Sequence, residues 1–327
     1  MNQFQYVKPS DTKSAIAIIA KDPSAQFIAG GTNLIDLMKK GIVSPEKLVD
    51  INNLPLRSIE KRTKSLRIGA LALNSDVAEN DMIKQHHPLL SLALNAGASP
   101  QLRNMATVGG NILQRTRCSY FYDTFLPCNK RQPGSGCGAI KGYNRMHAVF
   151  NNSDACIAVH PSDMCVALSA LNAEVVLNGL KGEHRISIND FLRLPGDHPE
   201  KDNKLEKAEL IVAVEIPDNV FTKNFYYLKV RDRSSYAFAL VSVAVALEIH
   251  NGTISEARVA LGGVAHKPWR LYQSEKYLTG KKVSEANFKE ASGLAILDAK
   301  AYEYNAFKLK LIPRAIVEAL QKASAMT

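Results

Sequence analysis

Four of the five cysteines in this chain are close enough in sequence to bind one metal centre. Cys118, Cys128, Cys137 and Cys156 are separated by nine, eight and eighteen residues. Disulfide frameworks are typical of small secreted domains, whereas this chain has 327 residues, so the clustering favours metal ligation. The spacing is neither the C-x2-C pair of zinc ribbons nor the compact run of bacterial ferredoxins. Spacing alone therefore leaves an iron–sulfur cluster, a zinc ion and free thiols as alternatives.

The residues around these cysteines favour a [4Fe–4S] cluster, which needs four thiolates and is negatively charged with them. Glycines in the same stretch would let backbone N–H groups approach the sulfurs, namely Gly134, Gly136 and Gly138. Basic side chains there would offset the charge, namely Arg115, Arg117, Lys130, Arg131, Lys141 and Arg145. The fifth cysteine, Cys165, lies in the apolar run Met164–Leu168 and is expected to be a small core residue.

Two glycine pairs, Gly30-Gly31 and Gly109-Gly110, have the composition of diphosphate-binding turns, and each is predicted to follow a strand. Glycine lets several backbone N–H groups approach a diphosphate without a Cβ clash, and a helix N-terminus adds partial positive charge. Side-chain donors flank both pairs: Thr32 and Asn33 the first, Thr107 and Asn111 the second. Neither pair belongs to a G-x-G-x-x-G or Walker motif, so ordinary tight turns remain an alternative.

Three structural units are predicted to position these residues. Residues 1–55 read as helix, strand, glycine turn, helix and strand, with a helix cap at Ser10 or Asp11. Residues 56–218 form a second unit, interrupted at about 114–156 by the Cys-rich insertion, which shows little periodicity. Residues 219–327 contain alternating strands joined by a hairpin at Asn251-Gly252, followed by helices.

Composition limits the classes of protein that remain. The chain is 46% hydrophobic and 22% charged, which is typical of globular proteins, and no apolar run is long enough to span a membrane. The net charge of +10 indicates a lysine-rich solvated surface or an anionic ligand or partner. Because no helix-turn-helix pattern and no RNA-type aromatic motif accompanies the charge, nucleic acid is not expected as a partner.

Several segments resemble the FAD-binding (medium) subunits of the xanthine dehydrogenase or molybdenum hydroxylase family. Ile28–Leu34 is similar to their first FAD-diphosphate loop, and Leu102–Ile112 is similar to the second. Pro161-Ser162-Asp163 resembles the segment that meets the adenosine half of the cofactor, and Lys229–Arg233 resembles the stretch near the flavin ring. The resemblance covers nearly the whole chain and is strongest to the FAD subunits of bacterial periplasmic aldehyde oxidoreductases.

The resemblance implies an α+β fold. Two subdomains of the PCMH-type FAD-binding fold would hold an extended FAD, and a small C-terminal domain would contain a three-stranded antiparallel sheet with helices. It also implies a heterotrimer, in which electrons pass from a molybdenum-cofactor large subunit through a [2Fe–2S] small subunit to the FAD, and then to an external acceptor. Aldehyde or heterocycle oxidation would occur on the large subunit. One branch of the family carries a [4Fe–4S] cluster on an insertion at this point. With no secretory signal in the sequence, we expect folding in the cytoplasm, and any export to the periplasm would accompany a partner subunit.

The resemblance also implies a set of cofactor-binding residues, while no side chain is expected to be catalytic because the flavin carries the redox chemistry. The predicted set is Gln26, Phe27, Ile28, Ala29, Gly30, Gly31, Thr32, Asn33, Leu34, Thr107, Val108, Gly109, Gly110, Asn111, Ser162, Asp163, Ile211 and Lys229.

Two of these positions, and Tyr236 outside the set, have more specific expectations. Asp163 is expected to accept hydrogen bonds from the ribose or to begin a helix, Lys229 to lie near the flavin or on the surface, and Tyr236 to cover the flavin edge or to be a core tyrosine. The histidines at 86, 87, 147 and 160 are expected to be ordinary surface or core residues. Two alternative functions remain, a stand-alone flavin oxidase and a basic, zinc-stabilised interaction protein.

Overall fold

The computed structural model describes residues 1–325, so the last two residues of the predicted C-terminal unit lie outside the described residues. The first unit is a three-stranded parallel sheet in the order β1-β3-β2, with two helices. Its helix α1 begins at the predicted cap, because the Asp11 carboxylate accepts a hydrogen bond from the Ser14 N–H. The elements are β1 Gln5–Val7, α1 Thr12–Lys21, β2 Ala25–Ile28, α2 Leu34–Lys39 and β3 Lys47–Asp50.

The second unit is a five-stranded antiparallel sheet in the order β4-β5-β8-β6-β7. Its strands are β4 Ile59–Lys61, β5 Ser65–Gly69, β6 Glu174–Gly179, β7 Gly182–Ser187 and β8 Leu210–Pro217. Its helices are α3 Asn74–Glu79, α4 Asp81–His86, α5 Pro88–Ala96, α6 Pro100–Arg103, α7 Val108–Ile112, α8 Ser119–Tyr122, α9 Asp163–Ala170 and α10 Ile188–Phe191.

The third unit contains a four-stranded antiparallel sheet in the order β12-β11-β10-β9, so the expected three-stranded sheet is wrong by one strand. The extra strand has two residues, which is too short to show an alternating pattern in the sequence. Asn251 and Gly252 both have positive φ, as the predicted hairpin turn requires. The elements are β9 Phe225–Val230, β10 Val241–His250, β11 Thr253–Gly262, β12 Trp269–Arg270, α11 Tyr272–Leu278, α12 Glu285–Leu294 and α13 Lys308–Ser324.

Helix α9 connects the second and third units. All of its residues from Met164 to Ala170 are buried, and it packs against α5 on one side and β10 and β11 on the other. A helix that is apolar on all sides must be buried on all sides, which explains its central position. Cys165 is fully buried here, as expected of a core residue. Within residues 1–325, no helix combines the length and the apolar character needed to cross a membrane.

The Cys-rich insertion has little regular structure and is anchored to the C-terminal unit. Val149 and Phe150 both donate backbone hydrogen bonds to the Val264 carbonyl, at 2.9 and 3.1 Å. The Phe150 ring stacks on Trp269 with 5.4 Å between ring centroids. Inside the insertion, the Arg131 guanidinium donates to the Tyr120 and Phe121 carbonyls at 2.8 and 2.9 Å. Hydrogen bonds of this kind replace strand ladders and fix the positions of the cysteines.

Candidate functional site

The first glycine loop follows β2, as predicted, and packs directly against the second loop. A Cβ atom on Gly30 would lie 1.8 Å from the Met105 carbonyl oxygen, so only glycine allows the two backbones to approach this closely. Gly31 has a φ of 71°, a conformation that other residues rarely adopt. The two glycines therefore have different roles, close approach for Gly30 and a left-handed turn for Gly31.

The second glycine pair does not follow a strand, contrary to expectation, but lies inside the short helix α7. Thr107 is the N-cap of this helix, and its hydroxyl accepts a hydrogen bond from the Gly110 N–H at 3.2 Å. A Cβ on Gly109 would lie 3.2 Å from the Ala70 Cβ, so this glycine serves close packing against the second sheet. The sequence did not reveal the helix because five residues are too few to show a helical period.

Two large cavities meet at these loops. The first, which we call the Ile211 cavity, has about 1580 Å³ of empty space and is lined by Gln26–Leu34, Thr107, Gly109, Gly110 and Ile211. The second, the Lys229 cavity, has about 1780 Å³ and is lined by Asn111, Ser162, Asp163, Lys229 and Tyr236. Thr32, Asn33 and Gly110 line both. The predicted cofactor residues thus surround one elongated space, except Val108, which is buried in the core.

Asp163 and Lys229 form an ion pair at the wall of the Lys229 cavity. Lys229 Nζ lies 2.8 Å from Asp163 Oδ2, and the Tyr227 hydroxyl donates to Asp163 Oδ1 at 2.7 Å. The helix cap is Ser162, which accepts from the Cys165 N–H at 3.0 Å. Asp163 lines the same cavity as Tyr236.

Replacing Lys229 by methionine is expected to destabilise the FAD-free protein by about 3 kcal/mol. The Lys229 and Asp163 side chains are 4% and 9% exposed, and removal of one partner leaves a buried charge without compensation. Lys47→Met is the matched control, because its ion pair with Asp22 is 24% exposed on both sides and should contribute less than about 1 kcal/mol. Urea unfolding of both variants measures the difference, and equal losses would contradict the prediction.

Buried polar atoms without a hydrogen-bond partner in residues 1–325 concentrate at the candidate sites. Asn33 Nδ2, Asn74 Oδ1 and Arg117 Nε all belong to residues that line the Lys229 cavity. An unsatisfied buried polar group costs about 1–3 kcal/mol, so atoms of this kind mark places where a ligand completes the structure. A polar, elongated cofactor such as FAD, with donors and acceptors along its length, fits these positions.

The four clustered cysteines line one small cavity, which we call the cysteine cavity, with about 270 Å³ of empty space. Cys128 and Cys137 face each other in an isolated antiparallel bridge. Burial raises the pKa of the Cys118 thiol to about 12, and a hydrogen bond from Cys156 lowers the pKa of Cys137 to about 6. The same hydrogen bond, together with burial, raises the pKa of Cys156. A positive centre in the cavity would be needed for all these thiols to ionise.

In the part of the chain that the structure describes, no group of three or more His, Cys, Asp and Glu side chains converges as the ligands of a single metal ion must. A zinc ion needs its sulfur ligands about 2.3 Å from one point. The sulfurs are therefore gathered around a cavity rather than around a point. Free thiols are also compatible with this geometry.

The basic residues and glycines of the insertion have other partners than expected. Arg115 and Lys130 pair with Asp202 at 2.7 and 2.5 Å, and Arg145 pairs with Asp232 at 2.7 Å. The Gly136 and Gly138 N–H groups donate to oxygens of Asn129 and Pro127, at 2.8 and 3.0 Å, rather than to sulfur. These contacts hold the shape of the insertion, while the charge of Lys130 also lowers the pKa of the Cys156 thiol, against the larger effects of its hydrogen bond to Cys137 and of burial.

Asp202 ties the insertion to the wall of the Ile211 cavity, because it lines that cavity while Lys130 lines the cysteine cavity. Burial opposes ionisation of this carboxyl, but Lys130 and Arg115 outweigh it and lower its pKa to about 2. A lowered folded-state pKa gives stability that is complete above the unfolded pKa of about 3.9 and is lost as the pH falls towards 2.

We therefore expect the stability difference between the wild type and Asp202→Asn to shrink by about 1 kcal/mol when the pH falls from 7 to 3. Only the wild type loses the contribution of an ionised Asp202 in this range. Urea unfolding at several pH values measures this stability difference. Asp232→Asn is the control, because Asp232 belongs to an exposed ion pair. A difference independent of pH would show that the pKa of Asp202 is the same in the folded and the unfolded chain, so that its ion pairs do not stabilise the fold.

Consecutive residues of the chain line the cysteine cavity and the Lys229 cavity. Cys118 lines the former and Arg117 the latter. A further cavity of about 1000 Å³ touches both, since Cys118 and His147 line it together with Arg117 and Asp163. The Arg117 guanidinium lies 5.5 Å from the Phe238 ring centroid, at the mouth of the Lys229 cavity.

Residues 2–219 match the family model described as the FAD binding domain in molybdopterin dehydrogenase, and residues 226–307 match that of the CO dehydrogenase flavoprotein C-terminal domain. The chain belongs to the family of FAD-binding subunits of the molybdenum hydroxylases. It is 47% identical to the aldehyde oxidoreductase FAD-binding subunit PaoB of Escherichia coli over 99% of each chain.

Other members of the family are more distant. The carbon monoxide dehydrogenase medium chain of Hydrogenophaga pseudoflava is 26% identical over 90% of this chain and 86% of its own. A solved structure of carbon monoxide dehydrogenase from the same organism aligns with a TM-score of 0.77 and 25% identity, covering 99% of this chain and 98% of that one. This FAD-binding subunit therefore has the expected FAD-binding α+β fold.

Several residues at the sites were not predicted from the sequence. His147 Nε2 lies 3.1 Å from Cys118 Sγ, although an ordinary histidine was expected there, and His266 Nε2 lies 3.3 Å from Cys156 Sγ. His266 is 110 residues from Cys156 in the sequence, and no motif marks it. Asn74, which lines the Lys229 cavity, and Asp202, which lines the Ile211 cavity, were not among the predicted site residues.

Proposed function

We propose that this chain is the electron-transfer subunit of a heterotrimeric, molybdenum-dependent aldehyde oxidoreductase and that it contains both FAD and a [4Fe–4S] cluster. Electrons would enter from [2Fe–2S] clusters of a small partner subunit and leave through FAD to an external acceptor. The observation that carries the proposal is the adjacency of Cys118, in the cysteine cavity, and Arg117, in the Lys229 cavity. Two redox cofactors held by consecutive residues suit a protein whose task is to transfer electrons.

The residues of the two large cavities would position FAD rather than perform acid–base chemistry. The backbone around Gly30 and Gly31 would bind the diphosphate, and the Ile211 cavity would hold the adenosine end. The Lys229 cavity would hold the flavin, with the Asp163–Lys229 pair on its wall and Tyr236 at its edge. Bound FAD supplies a centre that accepts and releases one or two electrons.

The cysteine cavity offers the four thiolates that a [4Fe–4S] cluster needs, one for each iron. Cys118, Cys128, Cys137 and Cys156 all line it, and no group of three or more such side chains in residues 1–325 is placed to hold a single metal ion. A zinc-stabilised interaction protein would also have no need of the two cavities at the glycine loops.

Aldehyde as the substrate class, and the two partner subunits, are supported by the relatives. The relative that is 47% identical over 99% of each chain is named as a subunit of an aldehyde oxidoreductase. Others are named as medium chains or medium subunits of a glyceraldehyde dehydrogenase, a carbon monoxide dehydrogenase and a nicotine 6-hydroxylase. A medium chain implies larger and smaller partners, which disfavours a stand-alone flavin oxidase.

Co-purification of the chain with its natural partners, followed by assays of FAD, iron, sulfide and zinc, tests the proposal. We expect one FAD and about four irons beyond those of the [2Fe–2S] subunit. FAD without the additional iron would overturn the cluster and leave the flavoprotein. Purification of an active flavin oxidase without partners would overturn the electron-transfer subunit.

A further inference from the structure

Two histidines from separate parts of the chain touch sulfurs of the proposed cluster ligands. His147 Nε2 contacts Cys118 Sγ at 3.1 Å, and His266 Nε2 contacts Cys156 Sγ at 3.3 Å. His147 belongs to the Cys-rich insertion, whereas His266 lies between β11 and β12 in the C-terminal unit. Both residues are buried, with 5% and 7% exposure. Two of the four sulfurs therefore have an imidazole nitrogen at hydrogen-bond distance.

The acceptor fixes the direction of these hydrogen bonds. A thiolate bound to iron has only lone pairs to offer, so the facing Nε2 must carry the hydrogen. The opposite tautomer would place two lone pairs against each other and bury an N–H group at Nδ1. Within residues 1–325, Nδ1 of both His147 and His266 is buried without a partner, and a bare lone pair there is less costly than an unpaired N–H. Towards iron-bound thiolates, both rings would therefore act as Nε2–H donors.

The backbone on either side holds the two rings in place. The His147 carbonyl accepts from Lys308 Nζ at 2.9 Å and from Asn305 Nδ2 at 3.3 Å. Next to His266, the Ala265 carbonyl accepts from the His160 N–H at 3.0 Å. Lys308 is fully buried, and its Nζ donates to the backbone carbonyls of His147 and Gly263. The donors are therefore fixed before a cluster binds.

We propose that His147 and His266 raise the reduction potential of the [4Fe–4S] cluster by donating Nε2–H hydrogen bonds to Cys118 and Cys156. The inference rests on the proposed cluster. Reduction adds one electron, and so one negative charge, to the cluster and its thiolates. A donor at a ligand sulfur is therefore more favourable to the reduced form than to the oxidised form. The two histidines act through the cysteines, as positioning residues. By raising the potential, they increase the fraction of the cluster that is reduced at equilibrium with the flavin.

Substitutions that remove and then restore the donor test the proposal. His147→Phe and His266→Phe keep a planar ring without an N–H group, while His147→Gln and His266→Gln keep an amide N–H donor. For each Phe variant we expect the equilibrium between reduced and oxidised cluster to shift about tenfold towards oxidised, a fall of 59 mV in the one-electron midpoint potential. The Gln variants should recover most of the shift. Redox titration of the purified complex, followed by EPR of the reduced cluster, gives the potential.

The control is His87→Phe, because His87 is a buried histidine whose Nδ1 contacts Asn219 and which lines neither cofactor cavity. It should leave the cluster potential unchanged. Wild-type complex without about four additional irons would overturn the proposed cluster, on which this inference rests, and leave the flavoprotein. A normal iron content with unchanged potential in both Phe variants would overturn only the present inference, as would a three-iron EPR signal, which would make the histidine a ligand.

A measurement on the wild type covers the case in which the Phe variants do not fold. In protein labelled with ¹⁵N in the imidazole rings, pulsed EPR of the reduced cluster should show coupling to ring nitrogen. Exchange into D₂O should add a deuteron coupling from the N–H group. Absence of both couplings in a cluster with full iron content would overturn the proposal.

Discussion

A Gly30→Ala variant is expected to purify almost free of FAD. The added Cβ would lie 1.8 Å from the Met105 carbonyl oxygen and 2.8 Å from its carbonyl carbon, so the two loops must separate. Backbone, unlike the end of a flexible side chain, cannot move aside without displacing its neighbours. A forced shift of this kind costs about 1–3 kcal/mol, and at the upper end this weakens FAD binding roughly 100-fold. Titration of the FAD-free protein with FAD, followed by flavin fluorescence, measures the loss.

Gly293→Ala is the matched control for this substitution. Gly293 lies inside α12, has no positive φ, and its Cβ would meet nothing within 4 Å. Alanine there should raise the free energy of unfolding by about 0.5–1 kcal/mol and leave FAD binding unchanged. Normal FAD affinity in Gly30→Ala would show that the close contact between the loops is not part of the cofactor site.

A Cys137→Ala variant is expected to lose the proposed cluster. Cys137 lines the cysteine cavity and contacts both Cys128 and Cys156, so its removal takes away one of four ligands at the centre of the set. Because a [4Fe–4S] cluster needs four thiolates, we expect the iron content to fall by about four per complex, with the broad cluster absorption lost and FAD retained. Iron and sulfide assays together with the visible spectrum give the result.

Cys165→Ala separates this effect from the general cost of losing a cysteine. Cys165 is fully buried in α9 and does not line the cysteine cavity. Its removal should leave the iron content unchanged and cost only the stability of a small core side chain. If both variants keep the same iron content, the four cysteines do not hold a cluster. If Cys137→Ala loses zinc instead, the cavity is a zinc site.

The fold was predictable from the sequence where its features depend on neighbouring residues. The strand before Gly30, the cap at Asp11 and the hairpin at Asn251-Gly252 each depend on neighbouring residues, and the structure contains all three. The helix around Gly109 and the two-residue strand β12 were missed, because short elements show no period. Their formation depends on packing, such as that of Gly109 on Ala70.

The sequence predicted which cysteines line the cavity, but not which other residues contact or surround them. Four clustered cysteines suggested a common centre, and the structure places all four around one cavity. The contacts of His266 and Asp202 are set by the tertiary fold, in which the C-terminal unit and the segment before β8 meet the insertion. The carboxylate partners of basic residues such as Arg145 were not predictable either, since a count of charges in sequence does not show which carboxylates fold against them.

The shared carboxylate of Asp202 gives the two cofactor sites a common energetic element. One of its oxygens holds Lys130 beside the cysteine cavity, and the other holds Arg115, while the residue itself lines the Ile211 cavity. Loading of FAD and assembly of the proposed cluster therefore form a thermodynamic cycle through Asp202. By reciprocity, each must change the affinity of the chain for the other by the same factor, whichever is acquired first.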